Sequence, residues 1–294
     1  MRKIHFFILS FLISCLFGSN ANALELKDIE PIEVGALRVW PIRDADVTME
    51  ERLLPGLKDF PEYKDAFSRG PLPAVDQVFL VQDGNRLALI DTGWGLEGKV
   101  KGRTLDILKD NAIEPKQITD ILLTHMDIDH IGGLIADGKA VFPNAALWIS
   151  RPEFDAWIKT NLPNRPEFSK QLAKKIAQLY NDRIKLFNYG EQILPGITAI
   201  DAAGHTPGHT AYDIENDGVK LTIAGDTIHI WQIQLPQPEL SSIYDIDMEK
   251  AAQTRKRLLE RAANEKSLFG GMHFPMISPV IKRNDGGFNM REPR

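Results

Sequence analysis

An α/β fold is what this sequence predicts, and three observations predict it. Two apolar runs, Val78-Phe79-Leu80-Val81 and Leu87-Ala88-Leu89-Ile90, flank Gln82-Asp83-Gly84-Asn85-Arg86 and read as a hairpin about a glycine turn. A helical stretch from Thr104 to Asn111 follows, then a break at Pro115 and a strand from Ile118 to Leu123, the strand-helix-strand order of an α/β protein. Polar residues with chemistry to offer gather just after such apolar runs, where catalytic loops of α/β proteins sit.

The elements follow in order. Met1-Arg2-Lys3, the apolar run Ile4 to Phe17 and the small-residue ending Ala21-Asn22-Ala23 have the layout of a secretory signal peptide, so residues 1–23 are expected to be removed and residues 24–294 to form one domain. Leu12-Ile13-Ser14-Cys15 offers a second route, a lipid anchor on Cys15. Either route places the protein in the periplasm or outside the cell. Residues 151–186 read as helical, with Phe154, Trp157 and Ile158, and then Leu172, Ile176 and Leu179, spaced for one face; Asn161 to Pro166 should interrupt them. Ile197 to Ile200 and Leu221 to Ala224 read as strands. Asp247 is placed to cap a helix that carries Ala251, Arg255, Leu258, Leu259 and Ala262 at helical spacing. The stretch from Asp44 to Pro73 reads as irregular and proline-rich.

Composition narrows the function. The 294 residues are 26% charged and 43% hydrophobic, as in an ordinary globular protein, with no repeat or low-complexity linker. Net charge is −5, and removal of Arg2 and Lys3 leaves 33 basic against 40 acidic residues, or −7. That balance argues against a nucleic-acid partner. No segment after the first reaches the roughly 18 apolar residues of a membrane span. The one cysteine lies in the leader, so any metal must be held by histidine and carboxylate.

Six histidines remain once His5 is set aside: His125, His130, His205, His209, His229 and His273. Each follows a strand-like run or lies in a glycine-containing loop. The densest segment is Thr124-His125-Met126-Asp127-Ile128-Asp129-His130-Ile131-Gly132-Gly133, where two carboxylates and two imidazoles in six residues make a cluster that calls for a cation.

This segment resembles the metallo-β-lactamase superfamily signature, H-x-H-x-D-H after a strand. Four further pieces match in the family's order: Ile90-Asp91-Thr92-Gly93, Gly204-His205-Thr206-Pro207-Gly208-His209-Thr210, Ala224-Gly225-Asp226-Thr227 and Gly271-Met272-His273-Phe274-Pro275. The later pieces look closest to the methyl parathion hydrolase-like branch and the related acyl-homoserine lactonases. The resemblance implies a four-layer αββα sandwich and a hydrolase acting on small esters, lactones or phosphotriesters. Two divalent cations, zinc by preference, would stand about 3.5–4 Å apart and share one activated water. Carried over by position, His125, Asp127 and His205 would hold one metal, Asp129, His130 and His273 the other, and Asp226 would bridge. Asp129 would also carry the proton to the leaving group. His229 would either orient the substrate or support a ligand through a hydrogen bond, and His209 would support rather than ligate. Asp91 would orient the ligand histidines.

Asp127 departs from the family, which has histidine there. An oxygen donor with a charge favours harder metals such as manganese or iron, or weakens that site. It keeps two rivals open: a phosphodiesterase or nuclease on the same fold, and a metal-binding protein without turnover. Trp94, Trp231 and Phe274 are candidates to line an apolar pocket, roofed by residues 44–73 and 151–186.

Overall fold

The computed structural model of the protein describes residues 24–96, 100–160 and 162–290; the expected signal peptide and Cys15 lie outside the described residues. Seven strands form the first sheet: β1 (Ile32–Val34), β2 (Leu37–Met49), β3 (Leu72–Asp83), β4 (Arg86–Ile90) and β5 (Ile118–Leu122), then, after a separate short hairpin of β6 (Ile135–Ala136) and β7 (Lys139–Ala140), β8 (Ala146–Ser150) and β9 (Ile184–Phe187). Pairing is antiparallel from β1 to β4 and parallel from β4 through β5 and β8 to β9. The second sheet is β10 (Gln192–Leu194), β11 (Ile197–Asp201), β12 (Thr210–Asn216), β13 (Val219–Ile223), β14 (Leu268–Gly270), β15 (Ser278–Lys282) and β16 (Phe288–Met290), in sequence order.

Alternation along the strands builds the layers. In β3, Val78 and Leu80 point into one core with Leu108 of α1 (Thr104–Asp110) and Ala173 and Ile176 of α4 (Glu167–Leu179), while Phe79 and Val81 point into another with Ile197, Tyr212, Ile214 and Leu221 of the second sheet. A third core packs Ala211 and Phe269 of the second sheet against Leu258, Leu259 and Ala262 of α6 (Met248–Glu265). Helix, sheet, sheet, helix is the αββα order. Asp247 caps α6, its side chain accepting from Lys250 N. Between these helices lie the single turns α2 (Ile128–Ile131), α3 (Arg151–Phe154) and α5 (Trp231–Gln234).

Two sequence readings need correction. Residues 44–49 are not irregular: they finish the long strand β2, which bends at a bulge between Arg43 and Ala45. Asp44 at that bulge is buried and accepts from Trp94 N and from Thr104 N and Oγ1, so a charged residue stands where a strand pattern would ask for an apolar one. The helical reading of 151–186 also runs too far, because Ile184–Phe187 pair with β8 as an edge strand. Its interruption is real within the described residues: a π-helical turn ends at Lys159 and α4 begins at Glu167. Beyond Met49, short 3-10 turns bury Leu53, Leu54 and Leu57 against Ile230, Ile233 and Leu240.

Candidate metal centre

One edge of the sandwich gathers the histidines. After β5 the chain carries His125, and Asp127, itself extended, precedes α2, whose single turn brings up Asp129 and His130. From the second sheet, the β11–β12 connection supplies His205 and His209, the turn after β13 supplies Asp226 and His229, and the turn after β14 supplies His273.

Three donor groups result among the described residues, and two of them share Asp226. Of that pair, Asp129, His130, Asp226 and His273 form one; His125, His205 and Asp226 form the other, with the ligand-capable atoms of each group within 4.8 Å of one another. The third is His205, His229 and Asp245. Asp226 Oδ1 lies 3.3 Å from His130 Nε2, while its Oδ2 lies 2.7 Å from His273 Nε2, 3.7 Å from His205 Nε2 and 3.9 Å from His125 Nε2. Asp129 Oδ2 is 3.5 Å from His130 Nε2 and 3.9 Å from His273 Nε2. Asp127 reaches the second group through Oδ2, 3.3 Å from His125 Nε2 and 3.1 Å from His205 Nε2.

The chemistry of this set fits cations. His125 Nε2, His130 Nε2 and Asp226 Oδ1 are buried and have no hydrogen-bond partner, a cost of about 1–3 kcal/mol each unless something positive engages them. Against the penalty of burial, Asp226, Asp129 and Asp91 hold His130 protonated well above its ordinary range, and Asp127 and Asp245 push His205 up to about 9. The carboxylates therefore demand positive charge at these rings, which a divalent cation supplies by displacing the protons.

Three of the four rings are aimed from behind by a carboxylate, and His125 Nδ1 instead meets Thr124 Oγ1 at 3.0 Å. His130 Nδ1 lies 2.7 Å from Asp91 Oδ2, and the same carboxylate accepts from Thr124 N and Oγ1. His205 Nδ1 lies 3.0 Å from Asp245, and His273 Nδ1 lies 2.7 Å from Asp76. Pairing the far nitrogen with a carboxylate fixes the tautomer and presents Nε2 to the metal. His209 stands apart: its Nδ1 faces the Ala202 carbonyl at 3.0 Å and its Nε2 accepts from the Asp226 backbone N–H at 3.0 Å. Sequence reasoning gave no role to Asp76, Arg165, Glu153 or Asp245. Each is joined to the site by contacts 27 or more positions apart in the chain.

Above the metal groups opens a pocket of about 770 Å³. Val47, Met49, Trp94, Phe168, Ile243 and Tyr244 make its apolar wall, and Asp129 and His229 its polar floor. Residues from both 44–73 and 151–186 do contribute to it, Asp46 to Met49 from one and Asn164 to Ser169 from the other. Phe274 is instead buried in the third core, stacked with Phe269 at 6.2 Å, and Trp231 packs against that same core. His229 stacks on His273 at 5.2 Å with both ring nitrogens unpartnered; burial, then the charge of His205, lowers it to about 3 and keeps it neutral.

Among curated relatives, an N-acyl homoserine lactonase from a Bacillus species is 28% identical over 186 residues, 60% of this chain and 66% of the relative, so the match spans just under two thirds of that protein's length. Among solved structures, AidC, a dizinc quorum-quenching lactonase in complex with an N-hexanoyl-L-homoserine product, superposes with a TM-score of 0.81 at 27% identity, covering 90% of this chain and 97% of that one. The hydrolase AbOPH, of the β-lactamase superfamily, gives 0.78 at 27% identity over 89% and 96%. A family model described as metallo-beta-lactamase superfamily matches residues 75–271, the span that carries every motif above except the last, around His273, and the chain belongs to that superfamily.

Proposed function

We propose that this chain is an exported, dinuclear metal-dependent hydrolase that opens small neutral esters and lactones. The observation that carries the reading is Asp226, buried and shared between two histidine-carboxylate groups, in each of which one inner nitrogen, on His125 or His130, lacks a partner. His125, Asp127, His205 and Asp226 would hold one cation; Asp129, His130, His273 and Asp226 the other. Bound there, two divalent ions, zinc by our reading, would supply Lewis acidity and would lower the pKa of water towards neutral.

The chain's own groups do the rest. The apolar wall excludes water from one side of the substrate and accepts a hydrocarbon tail. His229 has nitrogens free of other partners and lines the pocket, so its N–H can donate to a substrate oxygen as charge develops there. Asp129 lies on the pocket floor beside the metal groups, and its carboxylate takes the proton released in the attack and passes it to the departing oxygen. The lactonase relatives support the lactone and ester assignment, and the layout of residues 1–23 supports export.

The test is metal content by mass spectrometry, with turnover of p-nitrophenyl acetate, an acyl-homoserine lactone, methyl paraoxon and bis-p-nitrophenyl phosphate measured alongside. About two metals per chain and chelator-sensitive cleavage of ester or lactone are expected. Cleavage of the phosphodiester alone would move the assignment to a phosphodiesterase. Less than one metal, with no turnover after zinc or manganese is added, would overturn it.

A further inference from the structure

Arg165 comes from the break between the π-helical turn and α4, yet its side chain is only 6% exposed. It forks onto Asp127, with Nε 2.5 Å from Oδ1 and Nη2 2.7 Å from Oδ2, and its Nη1 donates to the Tyr244 carbonyl at 3.0 Å. Asp127 Oδ2, the oxygen that faces His125 and His205, thus also receives Nη2. A carboxylate offers about four lone-pair sites, so one oxygen can serve a guanidinium and a cation together.

Charge favours the pairing before the cations bind. Asp127, Asp129 and Asp226 crowd three carboxylates around the two donor groups that share Asp226, and Arg165 cancels one of those charges. The fork also reaches both walls of the pocket. Residues 164–169 line one side, and Ile243 and Tyr244 line the other, next to the Asp245 that aims His205.

We propose that Arg165 is a positioning residue that turns Asp127 into a net-neutral metal ligand and, through the same guanidinium, ties metal occupancy to the order of the two pocket walls. The proposal rests on the dinuclear reading and adds to it a residue far from the signature motif. Lysine cannot replace the fork, because an ammonium lacks the paired planar donors. A histidine at position 127 would leave the guanidinium buried beside a neutral ring and a cation, with no carboxylate hydrogen-bonded to it.

Zinc affinity of the metal-stripped full chain, read by competition with a chromophoric chelator, tests this without any assay of turnover. Arg165→Gln and Arg165→Lys are expected to weaken one of the two sites by about 10–100-fold, the range for losing a group that orients a ligand. Asp127→His alone should weaken it at least as much, and Asp127→His with Arg165→Gln should recover to within a few-fold of the parent. Hydrogen exchange supplies the second readout. Zinc should slow exchange of backbone amides in 162–169 and 241–247 in the parent and leave them fast in Arg165→Gln.

An Asp127→Asn protein with unchanged affinity would show that Arg165 removes Asp127 from the metal and would overturn the proposal. So would a double variant no better than Asp127→His, or wall protection that ignores Arg165. Any of these leaves the dinuclear hydrolase standing if the parent binds two ions. A parent that binds none overturns both.

Discussion

His209 has no nitrogen left over for a metal, and the reason lies in Gly225. A side chain at Gly225, whose φ is +55°, would begin 2.4 Å from His209 Nε2, so only glycine lets the imidazole reach under the turn and accept from Asp226 N–H. The ring therefore fixes the backbone of the shared carboxylate. Burial first, then the charge of His205, lowers its pKa to about 4. A base whose folded pKa is depressed takes up a proton on unfolding, so its contribution is fully present above pH 6.5 and is lost as pH falls towards 4. The slope is at most about 1.4 kcal/mol per pH unit. Glutamine offers one donor and one acceptor at similar reach without a titrating ring. His209→Gln in the metal-free protein should therefore lose stability to urea less steeply than the parent between pH 6.5 and 4.5. Parallel curves would show that His209 is not held neutral. Residues of this kind explain what the sequence could and could not reveal. His125, Asp129, His130, His205 and His273 stand out by strand-end or glycine-loop position and local spacing, and Asp226 by its place in a family-like motif. Asp76, Asp245 and Arg165 act on rings and carboxylates 38 or more positions away, and no local pattern links them.

At the scale of elements, α3 is a single turn that holds two loops of the site together. Ser150 caps it, accepting from Glu153 N at 3.2 Å, and Pro152 fits its first turn. Glu153, 1% exposed, then accepts from Met126 N and Trp157 Nε1 through one oxygen and from Thr206 Oγ1 and Gly208 N through the other. The loop of His125 and the loop of His205 are thereby pinned to one carboxylate. Glu153→Ala strands three buried N–H groups, and at about 1–3 kcal/mol each the loss should reach ~3 kcal/mol or more. Glu153→Gln should cost about 1–2 kcal/mol, because the Thr206 hydroxyl can reverse its role while Gly208 N–H cannot. Urea denaturation separates these outcomes, and an alanine variant within 1 kcal/mol of the parent would remove Glu153 from this account. Elements with regular apolar patterns were legible in sequence: the β3–β4 hairpin, α1, β5 and α6 fall where spacing puts them. β2 was not, since Asp44 and its bulge break the alternation, and β9 was not, since four residues after a helix carry too little pattern to change register.

Across the whole molecule, the metal groups join two halves of the sandwich. His125, Asp127, Asp129 and His130 hang from the first sheet, and His205, Asp226 and His273 from the second. The core between the sheets, with Phe79, Ile90, Tyr212 and Ile223, does not depend on the cations, so the stripped protein should remain folded and melt cooperatively. Ions that bind only the folded chain stabilise it by mass action, about 4 kcal/mol for one site at a thousand-fold excess over its dissociation constant. For a domain of this size each kcal/mol moves the melting temperature by about 2–4 °C, so each zinc bound should raise it by ~10 °C and a chelator should reverse the rise. Asp226→Asn should remove most of that shift, because its carboxylate belongs to two of the donor groups. His229→Ala should keep the shift to within a few degrees while lowering turnover at least about tenfold, as expected of a side chain that meets the substrate rather than the ions. The contrast is decisive because His229 also sits in a third set of possible donors with His205 and Asp245. His205 Nδ1 is already engaged by Asp245, which leaves that set without a free inner face. If His229→Ala erased the zinc-dependent shift as fully as Asp226→Asn, His229 would be a metal ligand and the substrate would have to find its hydrogen-bond donor elsewhere in the pocket.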